Sequence, residues 1–217
     1  MPITIIGGTY MAHVPSSDTS KISLLTFEEA LRPTDLTGYD RSRWIYVPDR
    51  YSEYRYVLGT RGNKPLITIG INPSTAAPDD LDNTLKSVER IALRNGFDSF
   101  IMFNVYAQRA TDPDKMEKEF NPRLHDENMK AFRYVLSLSE KPDIWAAWGT
   151  IIEKRDYLLR CVEDMVDIGC GFGARWWTCG NRSAKNGHPH HPLYLRKDSS
   201  LDEFDVRQYI EDLKNIK

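Results

Sequence analysis

The segment ITIGINPSTAAPDD, Ile67 to Asp80, offers the most chemistry. An apolar run reaches Gly70 and Ile71, Asn72 meets Pro73, and hydroxyls follow at Ser74 and Thr75. Asn before Pro favours a turn, so Asn72 either caps the next segment or presents its amide. Ser74 and Thr75 either cap or bind a phosphate together with nearby backbone N–H groups, and both roles can coexist. In LDNT, Asp82 or Asn83 is expected to be the N-cap of a helix starting near Thr84. A rival reading gives Asp80 and Asp82 to a metal-dependent hydrolase. Asn104 ends another apolar run, where it either satisfies loop backbone or presents a donor and an acceptor. Arg109 either pairs with Asp112 or Asp114 in its own loop or faces a ligand.

A second group gathers near the C-terminus. His188, His190 and His191 lie not far from Cys179, with Cys170 further back. Zinc asks for about four ligands in tetrahedral geometry, usually in tight pairs. The Cys170…Cys179…His188 spacing has no such form, and Cys179 is expected to face into the sheet, so no metal is expected. From Arg175 to Lys197 there are five basic residues and no acid. This is either an anion-facing rim or a loop-rich surface that lacks acids.

The elements that must position these residues are readable from Lys64 onward. Leu66–Ile71 is a continuous apolar strand, and Leu85, Val88, Ile91 and Ala92 follow at helical spacing to a stop at Gly96. Strand SFIMFNV, a helix through Met129, Phe132, Val135 and Leu136, strand DIWAAWG, a helix through Leu158, Val162 and Met165, and strand RWWTCG come next. Leu201, Phe204, Ile210 and Leu213 fit a closing helix. Before Lys64 the pattern is weaker: a short strand at Ile3–Ile6, a helix capped by Thr26, and antiparallel strands at Trp44–Val47 and Tyr54–Leu58. Strands alternating with helices imply a mainly parallel sheet with helices on both faces. Ligands then bind outside the carboxyl ends of the strands. The unusual residues sit there: NPSTA, NVYAQRATDP, WGT and GNRSAKNGHPHHPLY each follow a strand. Four loops are expected to converge on one rim.

The chain has 217 residues, 41% hydrophobic and 28% charged, which suits one sizeable core. The formal charge of −2 argues against non-specific coating of nucleic acid. No apolar run approaches the ~20 residues of a membrane helix, and MPITIIGGTYMAHVPSS lacks the basic and apolar regions of a signal peptide. Three cysteines without a CxxC pair suggest free thiols in a reducing cytoplasm.

The ordered motifs NPSTA, NVYAQRATDP, WG and HPLYL resemble a family of bacterial and phage proteins known as a domain of unknown function, over roughly Tyr54 to Leu195. More distantly they resemble the uracil-DNA glycosylase superfamily. GINPS at Gly70–Ser74 matches its first motif closely. Asn104, Val105 and Arg109 match its second in position, AAWGT its third through Gly149, and His191-Pro192 its fourth. The resemblance implies a three-layer α/β/α fold with a mainly parallel four-stranded central sheet. Residues 1–43 would be an N-terminal extension packing on a single domain at 44–217.

It also implies hydrolysis of a base–sugar N-glycosidic bond in DNA or a nucleotide, with no cofactor and no membrane partner. Asn72 would position water through its amide oxygen, and His191 would donate to the departing base. Gly70, Ile71, Pro73, Ser74, Thr75, Asn104, Tyr106, Arg109, Gly149 and Tyr194 would bind the substrate. Asn104 would read a pyrimidine edge, and Tyr106, Trp148 and Tyr194 either stack a base or belong to the core. The iron–sulfur branch of that superfamily needs four cysteines, and three are present.

Two departures count against duplex DNA. HPLYL replaces the small His-Pro-Ser segment, with Leu193 as a wedge or a buried residue. The acidic APDDLDN also stands where a phosphate chain would run. Single-stranded or duplex DNA, a free nucleotide and a nucleoside all stay open. A non-catalytic binding module on the same rim is the other rival.

Overall fold

The computed structural model describes residues 12–34 and 38–216. The strand expected at Ile3–Ile6 lies outside them. The chain forms strands β1 (Trp44–Val47), β2 (Val57–Thr60), β3 (Pro65–Gly70), β4 (Ser99–Asn104), β5 (Asp143–Ala146), β6 (Arg175–Cys179) and β7 (Leu201–Glu203). Its helices are α1 (Phe27–Ala30), α2 (Asn83–Arg94), α3 (Pro122–Leu136), α4 (Asp156–Gly171) and α5 (Val206–Ile216).

All seven strands join one sheet in the order β1-β2-β4-β3-β5-β6-β7. Strands β4, β3, β5 and β6 run parallel, whereas β1, β2 and β7 pair antiparallel at the two edges. The α/β class therefore holds, but the sheet is mixed and larger than the four strands expected. Leu201 is one reason. As the first residue of β7 it pairs with Cys179 of β6, and the Asn95 side chain accepts its N–H at 3.1 Å. The helix begins only at Val206, and Asp205 accepts the N–H of Gln208 at 3.0 Å. The Leu201–Phe204 spacing imitates a helical face while the residues are extended. Tyr54 and Arg55 also fall outside β2: Tyr54 bridges to Gln108, and Arg55 N–H bonds to the carbonyl of Ala107 at 2.9 Å.

Strands β3, β4 and β5 are buried along their whole length, as parallel strands covered on both faces must be. Alternate side chains divide between two cores. Ile67, Ile69, Ile101, Phe103, Ile144 and Ala146 face the larger core with α1, α3, α4 and α5. Leu66, Phe100, Met102 and Trp145 face the smaller one with α2. Asp82 caps α2, its carboxylate accepting Leu85 N–H at 2.9 Å. Thr26 and Glu29 form a reciprocal capping box at α1. Strand β3 is followed in the chain by β4 on one side and later by β5 on the other. Their connections leave on opposite faces, opening a crevice at the carboxyl ends of β3 and β5.

Phe132 lies at 0% exposure in the larger core, whereas Leu93 on α2 is 54% exposed. Phe132→Ala is expected to cost about 3–5 kcal/mol in urea unfolding, and Leu93→Ala about 0.5 kcal/mol or less.

Candidate functional site

A cleft of about 670 Å³ occupies that crevice. Gly70, Ile71, Asn72, Ser74 and Thr75 line it from the loop after β3, Ala110 and Thr111 from the loop after β4, and Gly149 and Thr150 from the loop after β5. The loop after β6 adds His188, His190, His191, Leu193 and Tyr194, and the start of α2 adds Asp82, Asn83 and Thr84. Four strand-end loops thus meet in one cleft.

The first two loops are tied together through Asn72. Its Nδ2 donates to the carbonyls of Pro73 at 3.1 Å and Ala110 at 2.6 Å. Two carbonyl acceptors fix which end of the amide is nitrogen, so Oδ1 is the end left for the cleft. Ala110 N–H returns to the Pro73 carbonyl at 2.9 Å, and the hydroxyls of Ser74 and Thr111 lie 3.2 Å apart.

Two buried arginines support this loop from behind. Arg109, 0% exposed, donates to the carbonyls of Ser74 and Ala76 and, at 2.8 Å, to the Tyr46 hydroxyl, with its guanidinium 4.2 Å from the Tyr51 ring centroid. It does not pair with Asp112 or Asp114: Asp112 accepts Asp114 N–H, and Asp114 pairs with Lys154. Arg55, 1% exposed, donates to the Ala76 carbonyl at 3.0 Å and to Asn104 Oδ1 at 3.4 Å. Burial and the charge of Arg109 push the Arg55 guanidinium down to about 9, opposed by Tyr46 and Asp82. Arg55 lines the cleft and was not singled out in the sequence. Its one available signal was a charge in the middle of the otherwise apolar run YRYVL.

The remaining loops are held from other elements. Gly149 is left-handed, at φ 63°, and a Cβ there would stand 3.5 Å from the Cβ of His191. Pro192 O accepts the Ser87 hydroxyl of α2 at 2.8 Å. Trp148 Nε1 donates to the Tyr209 hydroxyl at 3.0 Å, and that hydroxyl lies 2.8 Å from His188 Nδ1. The ionised Glu153 carboxylate can only accept, so His188 Nε2–H donates to it at 3.0 Å, and in the neutral ring Nδ1 accepts from the Tyr209 hydroxyl. Hydrogen bonds from Lys185 and then His188 hold the Glu153 carboxyl at about 2.

His191 Nδ1 accepts Leu193 N–H at 3.3 Å, which leaves the ring proton on Nε2. Burial lowers its pKa below 6.5, against an upward pull from Asp82. The neutral ring is thus a hydrogen-bond donor lining the cleft.

Other expected site residues lie beneath the cleft, in the core or at its rim. Asn104 sits beneath Gly70, Pro73 contributes backbone, and Arg109 braces the loop from behind. Tyr106 is buried with Glu117 and Asn121, and Trp148 is a core residue. Tyr194 is 77% exposed and Leu193 46%, both at the rim. The basic stretch is largely paired: Arg175 with Asp143, Lys185 with Glu153, and Arg196 with Asp198. Among the described residues, no three His, Cys, Asp or Glu side chains converge as a metal ion would require. The three cysteines are free, and burial raises the Cys161 and Cys179 thiols to about 12 and about 11.

A family model described as a protein of unknown function, DUF1643, matches residues 55–193. The chain belongs to the DUF1643 family. The matched span opens at Arg55 and closes at Leu193, and so takes in all four cleft loops. No curated protein and no solved structure matches the chain. Among the described residues, no helix is long and apolar enough to cross a membrane.

Proton–nitrogen NMR should find His191 as the Nε2–H tautomer with a pKa below 6.5. Asp82→Asn removes the upward pull and should lower it further. Because the folded state binds this proton more weakly than the unfolded chain, the His191 contribution to stability falls as pH drops below 6.5 towards the folded pKa.

Proposed function

We propose that the protein hydrolyses a base–sugar N-glycosidic bond, in DNA or in a nucleotide, on a fold of uracil-DNA-glycosylase type. The observation that carries this reading is the pairing of two oriented groups in one cleft. Asn72 has its amide nitrogen tied to the Pro73 and Ala110 carbonyls, and neutral His191 carries its proton on Nε2. Asn72 Oδ1 accepts a hydrogen bond from water and aims the water oxygen at C1′. As that oxygen bonds C1′, the C1′–N bond breaks and its electron pair leaves on the base. His191 Nε2–H stabilises the negative charge through a base carbonyl oxygen, and the proton lost by the water ends on the released base. Asn72 lacks the basicity to take that proton itself, so the rate depends on charge stabilisation and positioning.

The acidic residues fit structural work better than metal binding. Asp82 is engaged in capping α2, and Asp80 shares a two-way backbone bridge with Ala77. The free cysteines agree with a cytoplasmic setting. The accessible cleft and the exposed rim residues Leu193 and Tyr194 suit single-stranded DNA or a nucleotide better than duplex DNA, because the neighbouring Asp79–Asp82 stretch opposes a phosphate chain.

The test is base release. Oligonucleotides containing uracil, hypoxanthine, hydroxymethyluracil or mismatches, and free nucleotides, are incubated with the protein and free base is detected by mass spectrometry. Release is expected, with His191→Ala slowing it about 10²–10³-fold and Asn72→Ala abolishing most of it. Ligand binding with no released base, together with tolerance of Asn72→Asp, would establish a non-catalytic binding module instead. Metal-dependent activity lost on Asp82→Asn would move the chemistry to the acidic loop.

A further inference from the structure

Beneath Gly70 the cleft has a floor whose polar atoms do not balance. Arg55 and Arg109 are 1% and 0% exposed, and neither has an ion pair among the described residues. Their protein acceptors are neutral: the Ser74 and Ala76 carbonyls, the Tyr46 hydroxyl and Asn104 Oδ1. Two adjacent buried cations without a carboxylate are costly. Three buried donors here also have no acceptor: Nε of Arg55, Nε of Arg109 and Nδ2 of Asn104.

Asn104 is oriented by Arg55. Because its Oδ1 takes the guanidinium, only its NH₂ remains, and Nδ2 lies 3.2 Å from where a Cβ on Gly70 would stand. Gly70 is a cleft-lining position, but the place of its missing side chain is taken by the terminal methyl of Met102, 2.5 Å from where that Cβ would stand, so an incoming group reaches this amide by displacing the flexible end of Met102. A uracil edge alternates acceptor, donor and acceptor, and asks Asn104 for both of its functions. The floor instead presents donors only, together with positive charge.

We propose that the cleft floor is an oxyanion subsite, in which Arg55, backed by Arg109, and the Asn104 amide receive a negatively charged group that only accepts hydrogen bonds. A nucleotide phosphate and a carboxylate carried on a base share that chemistry. The subsite uses the same cleft as the glycosidic reading but does not depend on any bond being broken there.

The experiment compares binding of four probes by calorimetry at low salt: inorganic phosphate, deoxyuridine, deoxyuridine monophosphate and a carboxylated pyrimidine nucleoside. The intact protein should prefer one of the anionic nucleosides to deoxyuridine by about 30-fold or more, and which one wins names the oxyanion. Arg55→Met should abolish the preference for the anionic nucleosides over deoxyuridine. If Arg55→Met does not fold, Asn104→Asp serves: it supplies the floor with its own carboxylate. It should stabilise the unliganded protein, remove phosphate binding and remove the preference.

Equal affinity for neutral and anionic probes, or a preference that survives either substitution, would overturn the subsite and leave the floor filled by buried water. Base release without any anion preference would sink the subsite alone. Anion preference without base release would sink the glycosidic reading alone.

Discussion

The loop from Asn72 to Ala76 has little regular structure of its own, so its inward carbonyls need donors from elsewhere. Arg109 supplies them to Ser74 and Ala76, Arg55 to Ala76, and Asn72 reaches across to the Ala110 carbonyl. Arg109 comes from the same loop after β4 that contains Ala110, so one segment braces its neighbour twice. A lysine at 109 would not reproduce this, because the carbonyls and the tyrosine hydroxyl are reached from two separate nitrogens held in one plane, whereas an ammonium donates from a single point. The position of Asn72, and with it one wall of the cleft, depends on that bracing.

The opposite wall is fixed by different means. The loop from Asn181 to Tyr194 is long and exposed over much of its length, yet it is tied at three points. Ser87 on α2 holds Pro192, Glu153 after β5 holds Lys185, Asn186 and His188, and Tyr209 on α5 holds His188. Helices from both faces of the sheet therefore clamp one loop. This explains why His188, the most buried histidine, serves as a strut, while His191, three residues past that tie to α5, presents its ring to the cleft. The cluster that suggested metal chemistry in the sequence is thus divided between two tasks.

Three of the four parallel strands, β3, β4 and β5, were legible because burial on both faces writes itself as unbroken apolar runs: LITIGI, SFIMFNV and DIWAAWG have no other comfortable place in a protein. Asp82 was legible as a cap because the side chain and the helix it starts are neighbours in sequence. What stayed hidden depended on distant partners. Strand β7 is three residues long, and only its pairing with β6 makes it extended. Tyr106 and Trp148 read equally well as ligand-facing or core, and only the buried partners Glu117 and Tyr209 decide. Arg55 is the least legible member of the site: YRYVL reads as a strand, although an isolated cation among buried neighbours is itself the signal that something must receive it.

Asp82 links the two walls electrostatically. Its carboxylate caps α2, but its charge also reaches Arg55 and His191, pulling the pKa of both upwards. Among the described residues, no other carboxylate opposes the desolvation of both groups. The effect on each is partial: Arg55 still falls to about 9, and His191 still lies below its ordinary value. The cleft consequently keeps a cationic floor and a neutral imidazole at neutral pH, with one acidic group placed to moderate both. A stretch that reads in sequence as a barrier to a phosphate chain has a second role in the fold. On the oxyanion-subsite proposal, it leaves the floor enough positive charge to attract a compact anion while the neighbouring Asp79–Asp82 stretch opposes an extended polyanion.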